Sequence, residues 1–404
     1  MAVGQCDFPD MLDVEGIQLG TCCAGIKQTV KDDLLVVQML AQATCAAVFT
    51  QNAFCAAPVH VARVNLESSP RWLLINSGNA NAGTGAQGLQ DALSCCAVLA
   101  AEVGGAADQV LPFSTGVIGQ PLPVAKINTA LAKAVNDLSE SHWHKAAKAI
   151  MTTDTFAKGV SKVITIAGQT LVINGICKGA GMIQPNMATM LAFLATDANI
   201  SQPLLQKCLA AAVEQSFNRI TVDGDTSTND ACVLMASGCS LAPEITEDSI
   251  YYPIFADAVQ NVCKQLAELI IRDGEGATKL MRIVVEQAST DAEAVQVAKT
   301  IAHSPLVKTA FFASDPNWGR ILAAVGRAGV QNMILENVQI FLDDVCIVSN
   351  GGRADTYTEE AGQRVMDQEE ITVKVMLGRG FSAQEVLTCD FSYDYVKINA
   401  EYRT

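Results

Sequence analysis

Residues that could do chemistry lie most densely in residues 178–191, which read KGAGMIQPNMATML. Two glycines loosen this backbone and Pro185 removes a hydrogen-bond donor, so the stretch fits neither a regular helix nor an alternating strand. The apolar run MLAFLA (190–195) that follows is typical of a buried strand. The hydroxyl of Thr189 therefore stands where an irregular loop enters a core strand, a position that can be rigid and still reachable.

A threonine hydroxyl is a weak nucleophile unless a base stands beside it, and cutting the peptide bond before the threonine supplies that base. The Oγ1 atom of Thr189 can attack the carbonyl of Ala188 through a five-membered ring, and water then opens the resulting ester. The exposed α-amine has an ordinary pKa of about 7.7 to 8, so part of it is neutral near pH 7 and can deprotonate the hydroxyl. A simpler alternative is a β-branched residue that opens a strand.

A second group of candidate residues lies in the segment LPFSTGVIGQPLP (111–123). The segment reads as a strand that ends at Ser114, Thr115 and Gly116, followed by a turn. A Thr-Gly pair at a strand end can offer a hydroxyl and a backbone N–H to developing negative charge, as acyl transfer requires. The same pair is also common in ordinary turns.

The composition describes a globular, acidic chain of 404 residues with 50% apolar residues, enough core for one large domain or two to three ordinary ones. A net charge of −15 argues against a nucleic-acid surface, which needs clustered Lys and Arg. No apolar stretch approaches about 18 residues, and the acidic N-terminus lacks a basic flank, so we expect no membrane span, secretory signal or presequence. The 14 cysteines include no C-x-x-C pair, which favours reduced thiols and a cytoplasmic location.

The elements expected to position these residues alternate between strands and helices. Strands are predicted at 45–50, 59–64, 308–313, 339–348 and 370–378, a hairpin at 160–174 turning at 167–168, and helices at 124–138, 201–217, 253–271 and 291–303. The C-terminal segment DFSYDYVKINAEYRT has the composition of an edge strand.

A dinucleotide site is the main rival interpretation, because Gly83, Gly85 and Gly88 spell G-x-G-x-x-G before a helix and Asp108 follows about 20 residues on. The apolar strand, however, is expected to end near Ile75. The nucleotide fingerprint turns directly from strand into phosphate loop, so the intervening NSGNANA weakens this hypothesis.

Two patterns resemble metal sites only in part. The segment DGDTSTND (223–230) places oxygen ligands at alternate positions like a calcium loop, but it has Thr228 where the turn needs Gly and Leu234 where a bidentate Glu should stand. His142 and His144 have no third ligand nearby in the sequence. We therefore expect no metal site and no organic cofactor.

The 178–191 segment closely resembles the self-cleavage motif of the glutamate N-acetyltransferase, or ornithine acetyltransferase, family of arginine biosynthesis. Other segments of this family are matched in the same order: GIQLGTCCAGIK, FTQNAFCAAPV, NSGNANA-x-TG with Gly83 where a Cys is common, TTDT, DGDTSTND and SDPNWGRILAAVGRAG. The resemblance implies an α/β fold, a layered helix–sheet–sheet–helix sandwich shared with DmpA-type aminopeptidases. It further implies cleavage between Ala188 and Thr189 into an α chain (1–188) and a β chain (189–404) that stay together, as a heterotetramer of two α and two β chains.

The resemblance also implies residue roles, with Thr189 as the nucleophile and Thr115 and Gly116 as the oxyanion hole. The residues that it assigns to substrate binding are Thr152, Lys178, Thr189, Glu275, Asn399 and Thr404. The implied reaction moves an acetyl group from N-acetylornithine to glutamate by a ping-pong mechanism, and acetyl-CoA as a further donor stays open. The alternatives are a hydrolase or aminopeptidase of the same fold and the nucleotide-binding oxidoreductase.

Overall fold

The computed structural model describes residues 3–4, 7–184 and 190–401. The strands in this part of the chain are β1 (Ile17–Cys22), β2 (Leu34–Met39), β3 (Thr44–Phe49), β4 (Trp72–Asn79), β5 (Val110–Val117), β6 (Lys158–Ile166), β7 (Gln169–Lys178), β8 (Leu191–Thr196), β9 (Ile220–Thr221), β10 (Ala231–Ala236), β11 (Leu280–Ala288), β12 (Gln339–Leu342), β13 (Val345–Ser349), β14 (Gly352–Arg353), β15 (Glu370–Met376) and β16 (Ser382–Cys389). The helices are α1 (Ala57–Asn65), α2 (Gly85–Val103), α3 (Val124–Asn136), α4 (Trp143–Ala149), α5 (Gln202–Glu214), α6 (Tyr251–Arg272), α7 (Asp291–Ala302), α8 (Pro305–Phe312), α9 (Trp318–Gly326), α10 (Glu359–Met366) and α11 (Tyr393–Ala400). Short 3-10 helices lie at Leu66–Ser68, Ala107–Gln109, Phe217–Arg219 and Leu335–Asn337. No described helix is both long and apolar enough to cross a membrane.

The first sheet has the strand order β1-β2-β4-β5, with antiparallel pairs except for the parallel pair β4-β5. Its strands are buried on both faces. Because successive side chains point to opposite faces, alternate residues pack into two different layers. Val36 and Leu74 pack against helices α2 and α3, while Val37 and Leu73 face the second sheet.

The second sheet has the order β3-β10-β8-β7-β6, with β8 at its centre. In β8, Phe193 and its alternate neighbours face the first sheet, whereas Leu194 faces α5 and α6. A strand covered on both faces must be apolar throughout, which explains the continuous run LAFLAT. The resulting layers are helices, sheet, sheet and helices, so the predicted fold class is confirmed.

The third sheet has the order β14-β13-β12-β15-β11-β16-β9 and is mixed. Helices α7, α8, α9 and α10 cover one face around a separate hydrophobic cluster that includes Val297, Phe311 and Val373. Helix α6 packs on β6 and β7 of the second sheet and also on β16 of the third. This helix therefore joins the layered sandwich to the third sheet.

Several predicted elements are confirmed, but two strands predicted in the interior of the chain are helices, and the strand predicted at 339–348 is the antiparallel pair β12 and β13. The 160–174 hairpin is present as β6 and β7, and Ala167 and Gly168 both have positive φ, as a two-residue hairpin turn requires. Residues 59–64 lie in helix α1 and residues 308–312 lie in helix α8, where strands were predicted at 59–64 and 308–313. Each of these helices has a proline in its first turn, where the missing N–H costs nothing and the fixed φ favours a helix.

Candidate active site

One cavity brings together residues from distant segments of the chain. Its volume is about 260 Å³, and it is lined by Thr115, Gly116, Val117, Ile118, Thr152, Thr153, Lys178, Gly181, Met182, Met190, Leu191, Ser227, Thr228, Asn229, Asp230, Glu275 and Asn399. The predicted site residues among them are Thr115, Gly116, Thr152, Lys178, Glu275 and Asn399. Ala188, Thr189 and Thr404 lie outside the described residues. We call this candidate active site the Lys178 cavity.

The end of β5 forms one wall of the Lys178 cavity. Strands β4 and β5 pair in parallel until the register shifts between Gly78 and Asn79, and beside this shift Gly116 takes a φ of +134°. A Cβ atom on Gly116 would lie 2.3 Å from the carbonyl carbon of Gly78, so only glycine fits. Thr115 next to it is buried, and its Oγ1 accepts a hydrogen bond of 3.3 Å from the Nζ of Lys178.

The opposite wall is formed where three neighbouring strands of the second sheet meet. Lys178, the last residue of β7, pairs with Leu191 at the start of β8, and Leu191 pairs with Ala231 at the start of β10. This register places the lysine beside the chain that directly follows Thr189 and beside the end of segment 223–230. The sheet therefore brings together residues that are far apart in the sequence.

Asp154 fixes the backbone at the predicted binding residue Thr152 and at Gly179, which directly follows the predicted binding residue Lys178. Its buried carboxylate accepts hydrogen bonds from the N–H of Thr152 at 2.9 Å, the N–H of Gly179 at 2.7 Å and the Nζ of Lys158 at 2.6 Å. Burial opposes ionisation, but the ammonium groups of Lys158 and Lys178 outweigh it and hold the pKa of Asp154 well below its ordinary range. One ionised carboxylate therefore holds the backbone of the loop that contains Thr152 and the first residue of the loop after β7 in place.

Lys158 extends this network to a third predicted binding residue. Its Nζ also donates to the carboxylate of Asp273 at 2.5 Å, and the side chains of both are at most 1% exposed. Asp273 in turn accepts a 2.9 Å hydrogen bond from the N–H of Thr155, and it stands two residues before Glu275. We call Asp154, Lys158 and Asp273 the buried ion triad. The sequence alone does not indicate the triad, because Lys158 and Asp273 are 115 residues apart.

Glu275 and Asn399 meet on another side of the Lys178 cavity. The Nδ2 of Asn399 donates to the Oε2 of Glu275 at 2.8 Å, and the N–H of Glu275 donates to the carbonyl of Ala180 at 2.8 Å. The C-terminal segment is helix α11, not the edge strand that its composition indicates, because Ser392 caps the helix by accepting from the N–H of Tyr395. Helix α11 carries Asn399 to the cavity, where the resemblance assigns this residue to substrate binding.

The segment 223–230, to which sequence analysis assigned no chemistry, anchors the loop that leads to Thr189. The carboxylate of Asp223 accepts from the N–H of Met182 at 2.6 Å and of Ile183 at 2.9 Å. The Oγ1 of Thr226 donates to the carbonyl of Gln184 at 3.1 Å. The alternating oxygen-bearing residues that resembled a calcium loop therefore bind backbone N–H and C=O groups.

Asn229 in the same segment links the two sheets. Its buried Nδ2 donates to the carbonyl of Ala80 at 2.6 Å and to the carbonyl of Ser114 at 2.9 Å. Ser114 directly precedes Thr115, so Asn229 fixes the end of β5 against the start of β10. The sequence places Asn229 in the family segment DGDTSTND, before an apolar run, but does not indicate this role.

The glycine pattern of the rival dinucleotide hypothesis has a structural explanation within the chain. Strand β4 continues to Asn79, so the expectation that it ends near Ile75 is wrong. A Cβ atom on Gly88 would lie 1.8 Å from the Oγ1 of Thr84, and that hydroxyl bonds to the Oδ1 of Asn81 at 2.8 Å. Gly88 therefore makes room for the side chain of Thr84.

Comparison with known proteins adds independent information. The model of the ArgJ family matches residues 18–404. A Methylococcus capsulatus relative named arginine biosynthesis bifunctional protein ArgJ is 62% identical over 97% of this chain and 96% of its own, and one of that name from Pseudomonas fluorescens is 52% identical over the full length of both.

Two solved structures are also similar. The bifunctional protein ArgJ of Bacillus halodurans is 41% identical, covers 51% of this chain and 96% of its own, and has a TM-score of 0.49. The ornithine acetyltransferase of Mycobacterium tuberculosis, complexed with ornithine, is 32% identical, covers 43% of this chain and 94% of its own, and has a TM-score of 0.39. The family match and the full-length relatives argue against the oxidoreductase alternative. The chain belongs to the ArgJ family and is an acyltransferase of arginine biosynthesis.

Proposed function

We propose that this enzyme transfers the acetyl group of N-acetylornithine to glutamate through an acetyl ester on Thr189, after it has cut its own chain between Ala188 and Thr189. The observation that carries the proposal is the Lys178 cavity, which gathers all the candidate site residues that lie in the described part of the chain. It also includes Met190, the residue after Thr189.

Cleavage prepares the nucleophile. The Thr189 hydroxyl oxygen attacks the carbonyl carbon of Ala188, the C–N bond breaks, and the resulting ester is hydrolysed by water. The products are a carboxylate on Ala188 and a free α-amine on Thr189, which then serves as the base for the neighbouring hydroxyl.

Acetyl transfer follows in two half-reactions. The Thr189 oxygen attacks the acetyl carbonyl of N-acetylornithine, and the Thr115 hydroxyl and Gly116 N–H stabilise the oxyanion. Because Lys178 donates to the Thr115 oxygen, the hydrogen of that hydroxyl remains free to donate to the oxyanion. Ornithine leaves, and the amine of glutamate attacks the acetyl-Thr189 ester. The reaction uses only side-chain and backbone groups of the chain and requires no cofactor.

The charges of the Lys178 cavity suit amino-acid substrates. In this proposal Lys178 binds a substrate carboxylate and Glu275 binds an ammonium group, with Thr152, Asn399 and Thr404 as further contacts. Acetyl-CoA is a second candidate donor, since the Methylococcus and Pseudomonas relatives are named bifunctional.

The two products of cleavage are proposed to stay together as a heterotetramer of two α and two β chains in the cytoplasm, where free cysteine thiols persist. Support for association within one α/β pair comes from contacts across the cut. Strand β7 pairs with β8 along six residues, and the buried Lys158 on one side of the cut bonds to Asp273 on the other.

Thr115→Val tests the oxyanion assignment. The substitution keeps the β-branched shape and removes the hydroxyl, so kcat should fall about 10²- to 10³-fold, the usual cost of losing one oxyanion donor. Thr129→Val, an exposed position on α3, is the matched control and should leave kcat unchanged. Equal kcat values for Thr115→Val and wild type would remove Thr115 from the oxyanion hole.

The overall reaction is tested with N-acetylornithine labelled in the acetyl group. With glutamate present, we expect labelled N-acetylglutamate and ornithine in equal amounts, and without glutamate no continuing release of free acetate. Sustained acetate release without an acceptor would identify a hydrolase instead. A parallel reaction with acetyl-CoA and glutamate distinguishes a bifunctional enzyme from a monofunctional one.

A further inference from the structure

Asp230 is a buried carboxyl group of the Lys178 cavity that has no assigned role. It is 3% exposed, and its Oδ2 atom has no hydrogen-bond partner in the described part of the chain. The residue immediately precedes β10, and the N–H of Ala231 donates to the carbonyl of Met190 at 2.9 Å. Asp230 therefore lies beside the first residue after Thr189.

Other buried aspartates in this protein are fully bonded. The two carboxylate oxygens of Asp390 accept from the N–H groups of Thr278 and Lys279 and from the Thr278 hydroxyl, at 2.6 to 2.9 Å. Asp154 is likewise saturated by three donors. A structural role explains those residues, whereas an unbonded oxygen buried at a cavity requires a different explanation.

The surroundings of Asp230 favour its protonated form. Burial raises the pKa of this carboxyl well above its ordinary value, although a hydrogen bond with Ser227 and the charge of Lys178 oppose the shift. The Cys55 thiol is close enough to Asp230 and to Arg63 for both charges to act on the pKa of the thiol, Asp230 raising it and Arg63 lowering it. Lys178 is thus the cation of the cavity that acts on Asp230, and it stabilises the ionised form when a proton leaves.

The proposed ping-pong reaction leaves one proton unaccounted for in each half. In the first half-reaction the Thr189 α-amine can relay the hydroxyl proton to the departing nitrogen, which gives a neutral amine. Ornithine leaves at neutral pH as an ammonium ion and so takes up one more proton. In the second half-reaction glutamate arrives as an ammonium ion, and one proton must be removed before its nitrogen can attack. The acetylated enzyme therefore carries one proton fewer than the free enzyme if no proton is exchanged with water.

We propose that Asp230 is the catalytic residue that gives up this proton when Thr189 is acetylated and takes it back when glutamate is acetylated. This inference rests on the proposed function. The carboxylic acid donates its proton to the departing ornithine amine, the carboxylate remains beside Lys178 during the acetyl-enzyme stage, and the glutamate ammonium then returns the proton. The cycle ends with Asp230 in its starting form, so atoms and charges balance.

Asp230→Asn and Asp230→Glu test the inference in the full-length, cleaved enzyme. Asparagine keeps the shape but cannot transfer a proton, so kcat should fall about 10²- to 10⁴-fold and the pH profile of kcat should lose one ionisation. Asp230→Glu should recover part of the rate and the ionisation. Asp225→Asn, an exposed carboxylate in the same segment, is the control and should behave like wild type.

A proton count gives a readout that a structural role would not change. In weakly buffered solution near pH 7, with N-acetylornithine and no acceptor, a pH indicator should show no proton uptake as the wild-type enzyme is acetylated, and one proton per site for Asp230→Asn. Mass spectrometry follows the acetyl-enzyme in the same samples. The inference is overturned if Asp230→Asn keeps the wild-type rate and pH profile, or if both proteins take up the same number of protons. Failure of the wild-type enzyme to form an acetyl-enzyme would instead contradict the proposed function.

Discussion

Thr189→Ala is expected to give a single polypeptide of about 42.7 kDa with no acetyl-transfer activity, where the wild type gives two fragments. Alanine has no oxygen to attack the Ala188 carbonyl, so the chain stays uncut, and it offers no nucleophile to accept the acetyl group. Loss of a hydroxyl nucleophile lowers kcat by roughly 10⁶-fold in a well-studied serine enzyme, and a similar loss is expected here. Intact-mass measurement under denaturing conditions and the labelled-acetyl assay check the two effects.

Thr189→Ser is the matched control because it keeps the hydroxyl. It should still cut the chain and retain a measurable transfer rate. The uncut Thr189→Ala protein should remain folded, since the residues that flank the site are held independently: Gln184 by Thr226, and Met190 by Ala231. An active wild-type enzyme consisting of one uncut chain, or transfer activity in Thr189→Ala, would refute the proposed mechanism.

The layered architecture was predictable in part from the chain itself. The apolar run of β8 indicates a strand covered on both faces, and the Ala167-Gly168 turn indicates the β6-β7 hairpin. The stacking order of the layers came from the resemblance to the acetyltransferase family. Local patterns cannot determine it, because β3 and β10 are neighbours in the sheet although about 180 residues of chain separate them.

Helix α8, which was predicted as a strand, shows how tertiary contacts override residue preference. In α8 the buried residues Val307, Lys308, Ala310 and Phe311 follow helical spacing, but a lysine in that set looks like a surface residue in the sequence. Lys308 is fully buried in the structure. Its Nζ donates hydrogen bonds to the Thr388 hydroxyl at 2.8 Å and to the carbonyl of Cys389. These hydrogen bonds depend on strand β16, because Thr388 lies 80 residues after Lys308 in the sequence.

The candidate site was predictable where a short motif carries the function and unpredictable where partners meet only after folding. Thr115, Gly116 and Lys178 lie in segments that the family resemblance identifies. Asp230 and Asp154 lie in the matched segments DGDTSTND and TTDT, but the segments do not indicate their roles. Lys158 and Asp273 gave no local signal, because an isolated Asp or Lys in a sequence is most often a solvated surface residue. Their roles follow only from burial and from the partners that the fold provides.

The buried ion triad leads to the second large expected effect, which is a loss of stability. Lys158→Met removes the ammonium group that bonds to both Asp154 and Asp273 and leaves two carboxylates without it in the interior. Removal of one member of a buried ion pair typically costs about 3–5 kcal/mol. The comparison is made in the Thr189→Ala background, where the α and β parts stay covalently joined and cannot dissociate from each other, by following the urea unfolding midpoint at one fixed protein concentration.

Lys207→Met is the control for loss of a lysine, since its pair with Glu247 is exposed and should leave the unfolding midpoint unchanged. A triple variant, Asp154→Asn with Lys158→Met and Asp273→Asn, removes all three charges and should regain part of the lost stability, because no uncompensated charge remains buried. If the Lys158→Met protein unfolds at the same urea concentration as its background, the buried ion triad does not stabilise the fold.

The triad should also affect substrate binding, because it fixes the loops that carry Thr152 and Glu275. In the cleaved enzyme with the triple variant, the amide oxygens introduced at positions 154 and 273 can still accept from the backbone N–H groups of Thr152 and Thr155. The Lys158 ammonium that links the Asp154 loop to the loop before Glu275 is lost, so the two loops are held together less firmly. The KM values for N-acetylornithine and glutamate should therefore rise together while kcat changes less, since Thr115 and Gly116 are held by β4 and by Asn229 instead. A fall in kcat with unchanged KM would place the triad in the chemical step and reject this positioning role.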